Sequence, residues 1–412
     1  MRSIQIILSI ILSICLLVCC KNTKKNNDGK EIAVKINRGH YINTSIFCNE
    51  IEYINLGESS KNLIADISKL VKVSDTLYIL DGKTQIIHKY TTKGDYISRF
   101  DRMGKGPGEC VEISDFVVDT IKNWIYILDV GNPKIIVTDH NWNTIVEREK
   151  PGYFGKFEMV KSNTFIYYAS NYINPDLFGN NQHYNLLVAK DDNSILNTHL
   201  PIVHINFHSS VHNQMVPTKG GVLVSPPIEN EIYYANQDTC ILKYKLNFKE
   251  YNPSIYHWQL FNEKENDPKT LYESFMSALD NINQVPQAIY INNMFENNSL
   301  LYFRFFLSSD NNYTSDGFYT VLHNKLTKNT LVGIPHNDID YGLFGTPLAM
   351  FDDTLYTVIY PHSLKKRISQ LTKSATKNPS LIPHIEKLNS LVEKNDEDLN
   401  PIIAKIAFKS EW

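Results

Sequence analysis

The sequence predicts an all-β fold made of repeated four-stranded units, and three observations support this prediction. Residues 77–81 read Leu-Tyr-Ile-Leu-Asp, and residues 125–129 repeat them as Ile-Tyr-Ile-Leu-Asp. The preceding segments also match, with Ile-Ser-Lys-Leu-Val at 67–71 and Ile-Ser-Asp-Phe-Val at 113–117. Each copy is followed by a polar turn, a β-branched run and a further short strand. A unit of four strands that repeats about every 40 to 50 residues is typical of one blade of a β-propeller. The sequence therefore predicts a six-bladed β-propeller with four-stranded blades.

The number of blades follows from the strands that can be placed along the chain. Blade one is predicted over residues 67–100 and blade two over residues 113–149. Four weaker inner strands continue the series, at residues 164–168, 221–224 followed by 231–234, 300–305 and 354–359. A helix is predicted over residues 268–279, and we interpret it as a short helical insertion in a loop.

The C-terminal segment is predicted to close the ring of blades. Apolar residues at helical spacing behind Pro379 indicate a C-terminal helix over residues 379–393. Residues 400–408 then read as a closing strand, which we expect to pair with residues 50–56 because this pairing removes an exposed sheet edge. Almost no helix is expected outside these two helical segments, and residues 50–412 are predicted to form one propeller domain.

The N-terminus carries a signal for export. Residues 4–18 form an apolar run of signal-peptide length that is too short to cross a bilayer comfortably. The run ends in Leu17-Val18-Cys19-Cys20, which resembles a bacterial lipobox. Cys20 is the predicted lipidation site because a small residue precedes it, and Cys19 is the second choice. The alternative is an ordinary cleaved signal with incidental cysteines.

These features predict a lipoprotein signal peptide over residues 1–19 and a lipidated, flexible tether over residues 20–49. Membrane lipid is then a predicted partner, through an acylated cysteine that anchors the chain without spanning the bilayer. Lys21 follows the acylated position. In proteobacterial lipoproteins, Asp at this position retains the protein in the inner membrane. We therefore expect a lipid-anchored protein of the cell envelope, at the outer rather than the inner membrane.

The charge balance excludes one broad class of partner. The chain has 41 Lys and Arg against 44 Asp and Glu, for a formal net charge of −3. Nucleic-acid-binding domains are typically basic, so nucleic acid is not a predicted partner. The expected partner is an unknown ligand or envelope protein.

The motifs together resemble a known family. The repeated Tyr-Ile-Leu-Asp strands, the Gly-rich loop at 104–109, the Asn400-Pro401 strand after a helix and the lipobox are similar to the six-bladed β-propeller lipoproteins of Gram-negative gut bacteria, which look related to NHL-type propellers. The resemblance covers nearly the whole mature chain and is closest over residues 50–150. It implies the fold and export, and it implies no particular activity.

Strand order predicts the face that carries function. The loop at 104–109 lacks the Lys-Ser/Thr of a phosphate-binding loop and lies between two strands, so we interpret it as a blade-to-blade crossing. Such crossings share a face with the turns that follow the second strands. The candidate binding face therefore comprises Asp81, Asp129, Arg102, Lys105 and Glu109. The alternative is that each Asp only accepts hydrogen bonds from its own turn.

No catalytic or metal-binding residues are predicted. His204, His208 and His212 have regular spacing, but in an extended segment they lie roughly 13 Å apart, so they should not share a metal ion. The polar loop at 310–317 lacks the glycine and the acidic residue of a calcium loop, and it reads as a hairpin turn. No cofactor is predicted, although a divalent cation at the channel mouth stays open.

The sequence thus favours a membrane-anchored binding or interaction module over an enzyme. The alternative is a propeller lyase or hydrolase with a metal-assisted site at the channel mouth, built from residues that only the fold brings together. Three or more His or acidic side chains at metal-ligand distance near the channel would favour that alternative.

Overall fold

The structure is a computed structural model that describes residues 29–57, 62–202, 213–227, 229–253, 286–308, 318–392 and 400–412. The first thirteen strands are β1 (Lys30–Ala33), β2 (Tyr41–Asn43), β3 (Cys48–Asn55), β4 (Ile67–Val73), β5 (Thr76–Asp81), β6 (Ile86–Thr91), β7 (Tyr96–Phe100), β8 (Ile113–Asp119), β9 (Trp124–Asp129), β10 (Lys134–Asp139), β11 (Thr144–Glu149), β12 (Lys156–Lys161) and β13 (Thr164–Tyr168). The others are β14 (Tyr184–Lys190), β15 (Ile195–Pro201), β16 (Met215–Thr218), β17 (Gly221–Val224), β18 (Glu231–Ala235), β19 (Cys240–Asn247), β20 (Ala288–Glu296), β21 (Leu300–Leu307), β22 (Phe318–Asn324), β23 (Thr330–His336), β24 (Thr346–Phe351), β25 (Thr354–Ile359) and β26 (Ile402–Phe408). The α-helices of the described residues are α1 (Thr44–Phe47), α2 (Pro175–Phe178), α3 (Pro361–Ala375) and α4 (Ile382–Ser390).

Six sheets form six blades. Blades one, two and three are β4–β7, β8–β11 and β12–β15, and blades four and five contain β16–β19 and β20–β23. Blade six consists of β24, β25, β26 and β3. The first strands of neighbouring blades contact one another in a closed ring around the channel. The predicted six-bladed propeller with four-stranded blades is confirmed.

The second strand of each blade supplies most of the core. Strands β5 and β9 are buried at every residue after the first, because neighbouring blades cover both faces. A strand of this kind needs a continuous apolar run, whereas the outermost strand β11 has a wet face and remains mostly exposed. The six strands predicted as inner strands are thus the second strands of their blades, and the channel is lined by the strands that precede them.

The ring closes as predicted. Strand β26 pairs antiparallel with β25 on one side and with β3 on the other, with Ile402 opposite Asn55 and Ile406 opposite Ile51. Blade six therefore joins three strands from the C-terminal part of the chain to one from the N-terminal part. The pairing covers the edge of β26, which would otherwise be exposed.

The prediction of a flexible tether is wrong for residues 30–49. Strand β1 pairs in parallel with β19 and adds a fifth strand to blade four, and β2 does the same with β23 in blade five. Ile32 and Ile42 are the buried anchors of these two strands. Because the strands have only four and three residues, they are too short for an alternating pattern to stand out in a polar segment.

The prediction of almost no helix outside residues 268–279 and 379–393 is also wrong. Helix α3 lies between β25 and β26, begins at Pro361, and buries Leu364, Ile368 and Leu371 on one side. Helix α4 falls within the predicted C-terminal helix. The predicted insertion at 268–279 lies outside the described residues. In the described part of the chain, no helix is long and apolar enough to cross a membrane.

Candidate functional site

A cavity of about 370 Å³ lies at the mouth of the channel, on the face where the second strands end. We call it the mouth cavity and define its wall by Ser68 of blade one, Ser114 of blade two, Lys156 of blade three and Gln214 beside β16 of blade four. Each of these residues lies near the start of a first strand, where the blades converge. Residues remote in sequence therefore form one concave polar surface, which is a common form of ligand site.

Two β-bulges shape this wall. The pairing register of β4 with β5 shifts between Ile67 and Lys69, and that of β8 with β9 shifts between Ile113 and Asp115. The residue inside each bulge is a serine, Ser68 or Ser114. A bulge changes the direction of the side chains around it, and bulges are common next to binding sites. Here it accompanies two serines in the wall of the mouth cavity.

Three donors in this wall lack partners among the described residues. The Nε2 atom of Gln214, whose side chain is 2% exposed, makes no hydrogen bond, although its amide oxygen accepts one from the Ser170 hydroxyl at 3.3 Å. The buried Oγ of Ser114 is likewise unpartnered. Lys156 makes no ion pair or hydrogen bond within the described part of the chain, and burial lowers its pKa, which the nearby Asp115 carboxylate opposes.

Two tyrosines form the rim of the cavity. Tyr153 is 52% exposed and Tyr172 is 38% exposed, and their ring centroids are 5.1 Å apart at an interplanar angle of 59°. The Lys150 ammonium lies 5.1 Å from the centroid of the Tyr153 ring. An exposed tyrosine ring presents an apolar face and a polar hydroxyl, so it can pack against the apolar part of a ligand while its hydroxyl stays in contact with water.

Charged side chains lie below the mouth cavity, where Lys156 also borders a second cavity of about 300 Å³ within the channel. Lys69 Nζ donates to Asp115 Oδ1 at 2.7 Å and to the Phe116 carbonyl at 2.8 Å. Burial raises the pKa of Glu158 to about 7, against an opposing effect of Lys69. Lys69 and Asp115 thus already form a pair, whereas Lys156 does not.

Asp81 and Asp129 have a structural role in the turns of this face. Both are fully buried. The Asp81 carboxylate accepts from the backbone amides of Ala65 and Asp66 before β4 and from those of Lys83 and Thr84 in its own turn. The Asp129 carboxylate repeats this pattern by accepting from the backbone amides of Val111, Glu112, Gly131 and Asn132. Each carboxylate therefore fastens a blade-to-blade crossing to a turn.

The other three predicted residues lie towards the outside of blade two. Arg102 Nη1 donates to Thr144 Oγ1 at 3.1 Å, and Glu109 Oε2 accepts from the Gly106 amide at 2.8 Å. Lys105 is exposed. The Gly-rich loop thus crosses the outer strands of the blade before it reaches the channel. It shares the face with the aspartate turns, but its side chains are not part of the mouth cavity wall.

Several predictions fall outside the described residues, namely lipidation at Cys20, the separation of His204, His208 and His212, and the loop at 310–317. Among the residues that are described, no group of three or more His, Cys, Asp or Glu side chains is placed to hold a metal ion. Sequence reasoning missed Ser114, Lys156 and Gln214. The one signal available was the serine shared by the two aligned repeats, Ile-Ser-Lys and Ile-Ser-Asp.

The opposite mouth of the channel has a larger cavity of about 700 Å³, but its main buried charge is already neutralised. Glu296 lies 2.5 Å from Lys243 Nζ and 3.0 Å from Lys325 Nζ, and it also accepts from the Tyr244 hydroxyl at 2.5 Å. The two mouths therefore differ in how many of their polar groups have partners. This difference favours the mouth cavity as the candidate site.

Comparison with known proteins identifies the fold and the family. No curated protein matches the chain. The crystal structure of a "Putative exported protein" from Bacteroides fragilis is 17% identical, with 92% of this chain and 100% of that chain covered at a TM-score of 0.72. A member of the duf4221 family from Bacteroides vulgatus is 10% identical, with coverages of 88% and 98% and a TM-score of 0.50. A family model described as "Domain of unknown function (DUF4934)" matches residues 30–407. The chain belongs to this DUF4934 family.

Proposed function

We propose that this protein is an exported, lipid-anchored binding module of the cell envelope, and that a ligand or partner protein engages its mouth cavity. The observation that carries the proposal is that two buried donors, on Ser114 and Gln214, and the half-buried Lys156 ammonium beside them have no acceptor among the described residues. Burying a polar group without a partner costs free energy. An occupant that accepts hydrogen bonds from all three would remove this cost.

The proposal retains the face predicted from the sequence and changes the residues on it. Asp81 and Asp129 hold the turns of this face in place. The ligand contacts are assigned instead to the cavity wall and to the two rim tyrosines. Arg102, Lys105 and Glu109 stay candidates for contacts with a larger partner that extends beyond the cavity.

The anchoring part of the proposal rests on the N-terminal sequence. The lipobox-like Leu17-Val18-Cys19-Cys20 gives Cys20 as the acylated residue, and Lys21 favours the outer membrane. The Bacteroides fragilis structure of similar fold is described as exported, in agreement with this assignment. Strand β1 begins at Lys30, so nine residues separate Cys20 from blade four, and the chain can span at most about 35 Å between them. We also propose that the blades are of the NHL-like type, because the Tyr-Ile-Leu-Asp strand is repeated.

A thermal-shift screen tests the binding part. Full-length protein in detergent would be heated with a library of saccharides, organic acids and short peptides. We expect compounds that raise the melting temperature to lose this effect in Tyr153→Ala/Tyr172→Ala. The matched control is Tyr41→Ala, since Tyr41 is 57% exposed and lies on β2 of blade five. Stabilisation that survives in the double variant would contradict the proposal.

Metabolic labelling tests the anchoring part. Palmitate should label the native protein and not Cys20→Ala, and only the native protein should remain in the membrane fraction. Equal labelling of both proteins would refute lipidation at Cys20. Cys19→Ala is the control, because it leaves the assigned cysteine in place.

A further inference from the structure

The signs of the groups around the mouth cavity indicate the chemistry of its occupant. The groups without partners are the buried Gln214 amide NH₂, the buried Ser114 hydroxyl and the ammonium of the half-buried Lys156, all of which can donate a hydrogen bond. The one carboxylate in the wall, that of Glu112, is exposed at the rim. A ligand that binds in the inner part of the cavity should therefore present hydrogen-bond acceptor atoms to these donors.

The charges around Lys156 indicate that this acceptor is negatively charged. Asp115 already accepts from Lys69, from the Phe116 amide and from the Phe157 amide. Burial raises the pKa of Glu158 to about 7, and the cation that opposes this shift is Lys69, not Lys156. Lys156 consequently lacks a full countercharge among the described residues. Lys156 is half-buried and faces the cavity, so an anionic ligand there would supply the countercharge that its ammonium lacks.

The rest of the site limits the size and shape of the ligand. A volume of about 370 Å³ is at the lower end of the range for small-molecule pockets. The tilted Tyr153 and Tyr172 rings at the rim can pack against the flat or apolar side of a ring. We propose that the mouth cavity binds a small organic carboxylate, with the carboxylate opposite Lys156, Ser114 and Gln214 and the remainder of the molecule against the two rim tyrosines.

This inference rests on the proposed function, since it names the ligand class of the same site. Calorimetry on the full-length protein in detergent tests it with three pairs of probes at millimolar concentration: benzoate and benzamide, glucuronate and glucose, and acetate and acetamide. We expect at least one carboxylate to bind about tenfold more tightly than its neutral counterpart. Lys156→Gln should reduce that affinity to the level of the neutral probe.

Two further variants keep the test decisive. Lys83→Gln removes an exposed lysine on the same face, outside the cavity wall, and should leave the affinity unchanged. Ser114→Ala should weaken carboxylate binding about threefold to tenfold, even if Lys156→Gln proves unstable.

Three outcomes would overturn the inference. They are equal binding of the carboxylate and its neutral counterpart, unchanged binding in both Lys156→Gln and Ser114→Ala, and no binding of any of the three carboxylates. Neutral probes that bind and lose affinity in Tyr153→Ala/Tyr172→Ala would leave the proposed function standing without the carboxylate. Binding that depends on neither set of residues would contradict both.

Discussion

The turns at Asp81 and Asp129 and the wall of the mouth cavity lie side by side and use buried polar groups in opposite ways. Each aspartate accepts hydrogen bonds from four backbone amides, two before its blade and two in its turn. In the wall, the donors of Ser114 and Gln214 have no acceptor among the described residues. Both regions are polar and buried, yet only the first is saturated.

This difference separates structural polar groups from candidate binding groups. A saturated buried group stabilises the fold, and its removal leaves several donors without partners. An unsaturated buried group in the wall of a cavity keeps a hydrogen-bonding capacity that a ligand can use. Blade five supports this interpretation, because Ser308, directly after β21, accepts from the amide of Gln287, directly before β20, at 2.8 Å. The turn position is thus reused for structure with another residue type.

The largest effect is expected from Asp129→Ala. The variant leaves the amides of the Val111 crossing and of the Gly131 turn without acceptors, and we expect the free energy of unfolding to fall by about 4 kcal/mol. Denaturant unfolding measures this loss. Asp139→Ala is the control, since Asp139 also caps a turn, at Asn141 and Asn143, but in solvent. Equal losses in the two variants would show that burial does not set the role of Asp129.

Two lysines of the channel give the next comparison. Lys69→Met leaves the buried Asp115 carboxylate without its ion pair, and we expect a loss of about 3 kcal/mol in the free energy of unfolding. Lys156→Met removes a half-buried ammonium that has no partner in the described residues, so the change should stay within about 1 kcal/mol. Chemical denaturation of both variants checks this. A loss in Lys156→Met as large as that in Lys69→Met would mean that Lys156 is already paired.

The fold could be predicted because its information is local and repeated. The second strands are continuous apolar runs, and two of them share the Tyr-Ile-Leu-Asp sequence, so the period and the blade type can be read directly. Ring closure followed from the need to cover a sheet edge. The two added strands and helix α3 were missed for a different reason. Strands β1 and β2 are held by partners more than 200 residues away, and their own pattern is too short to be recognised.

The mouth cavity could not be predicted, because its residues come from four blades that only the ring brings together. The sequence favoured Asp81 and Asp129 because they are repeated acidic residues. In a propeller, however, a repeated residue indicates a structural role that recurs in each blade, here in the turn. The cavity residues Lys156 and Gln214 are not repeated at all. For the ion pair below the cavity the sequence does carry a signal: Lys69 and Asp115 occupy the same position in the two repeats, and their opposite charges indicate a pair between neighbouring blades.

The smallest effect concerns Glu158 and depends on pH. Because its pKa is raised to about 7 in the folded protein, the folded state keeps a proton that the unfolded state releases above about pH 4.5. The Glu158 contribution to stability is therefore fully present below about pH 4.5 and is lost as the pH rises to 7. Glu158→Gln has no proton to release, so its stability relative to the native protein should increase across this window. We expect about 1–2 kcal/mol by pH 8, less than the full pKa shift would give, because Glu158 is partly exposed and solvent screens its charge. Urea unfolding at several pH values measures the difference, and a value that stays constant from pH 4.5 to 8 would mean that the Glu158 carboxylate is solvated or paired.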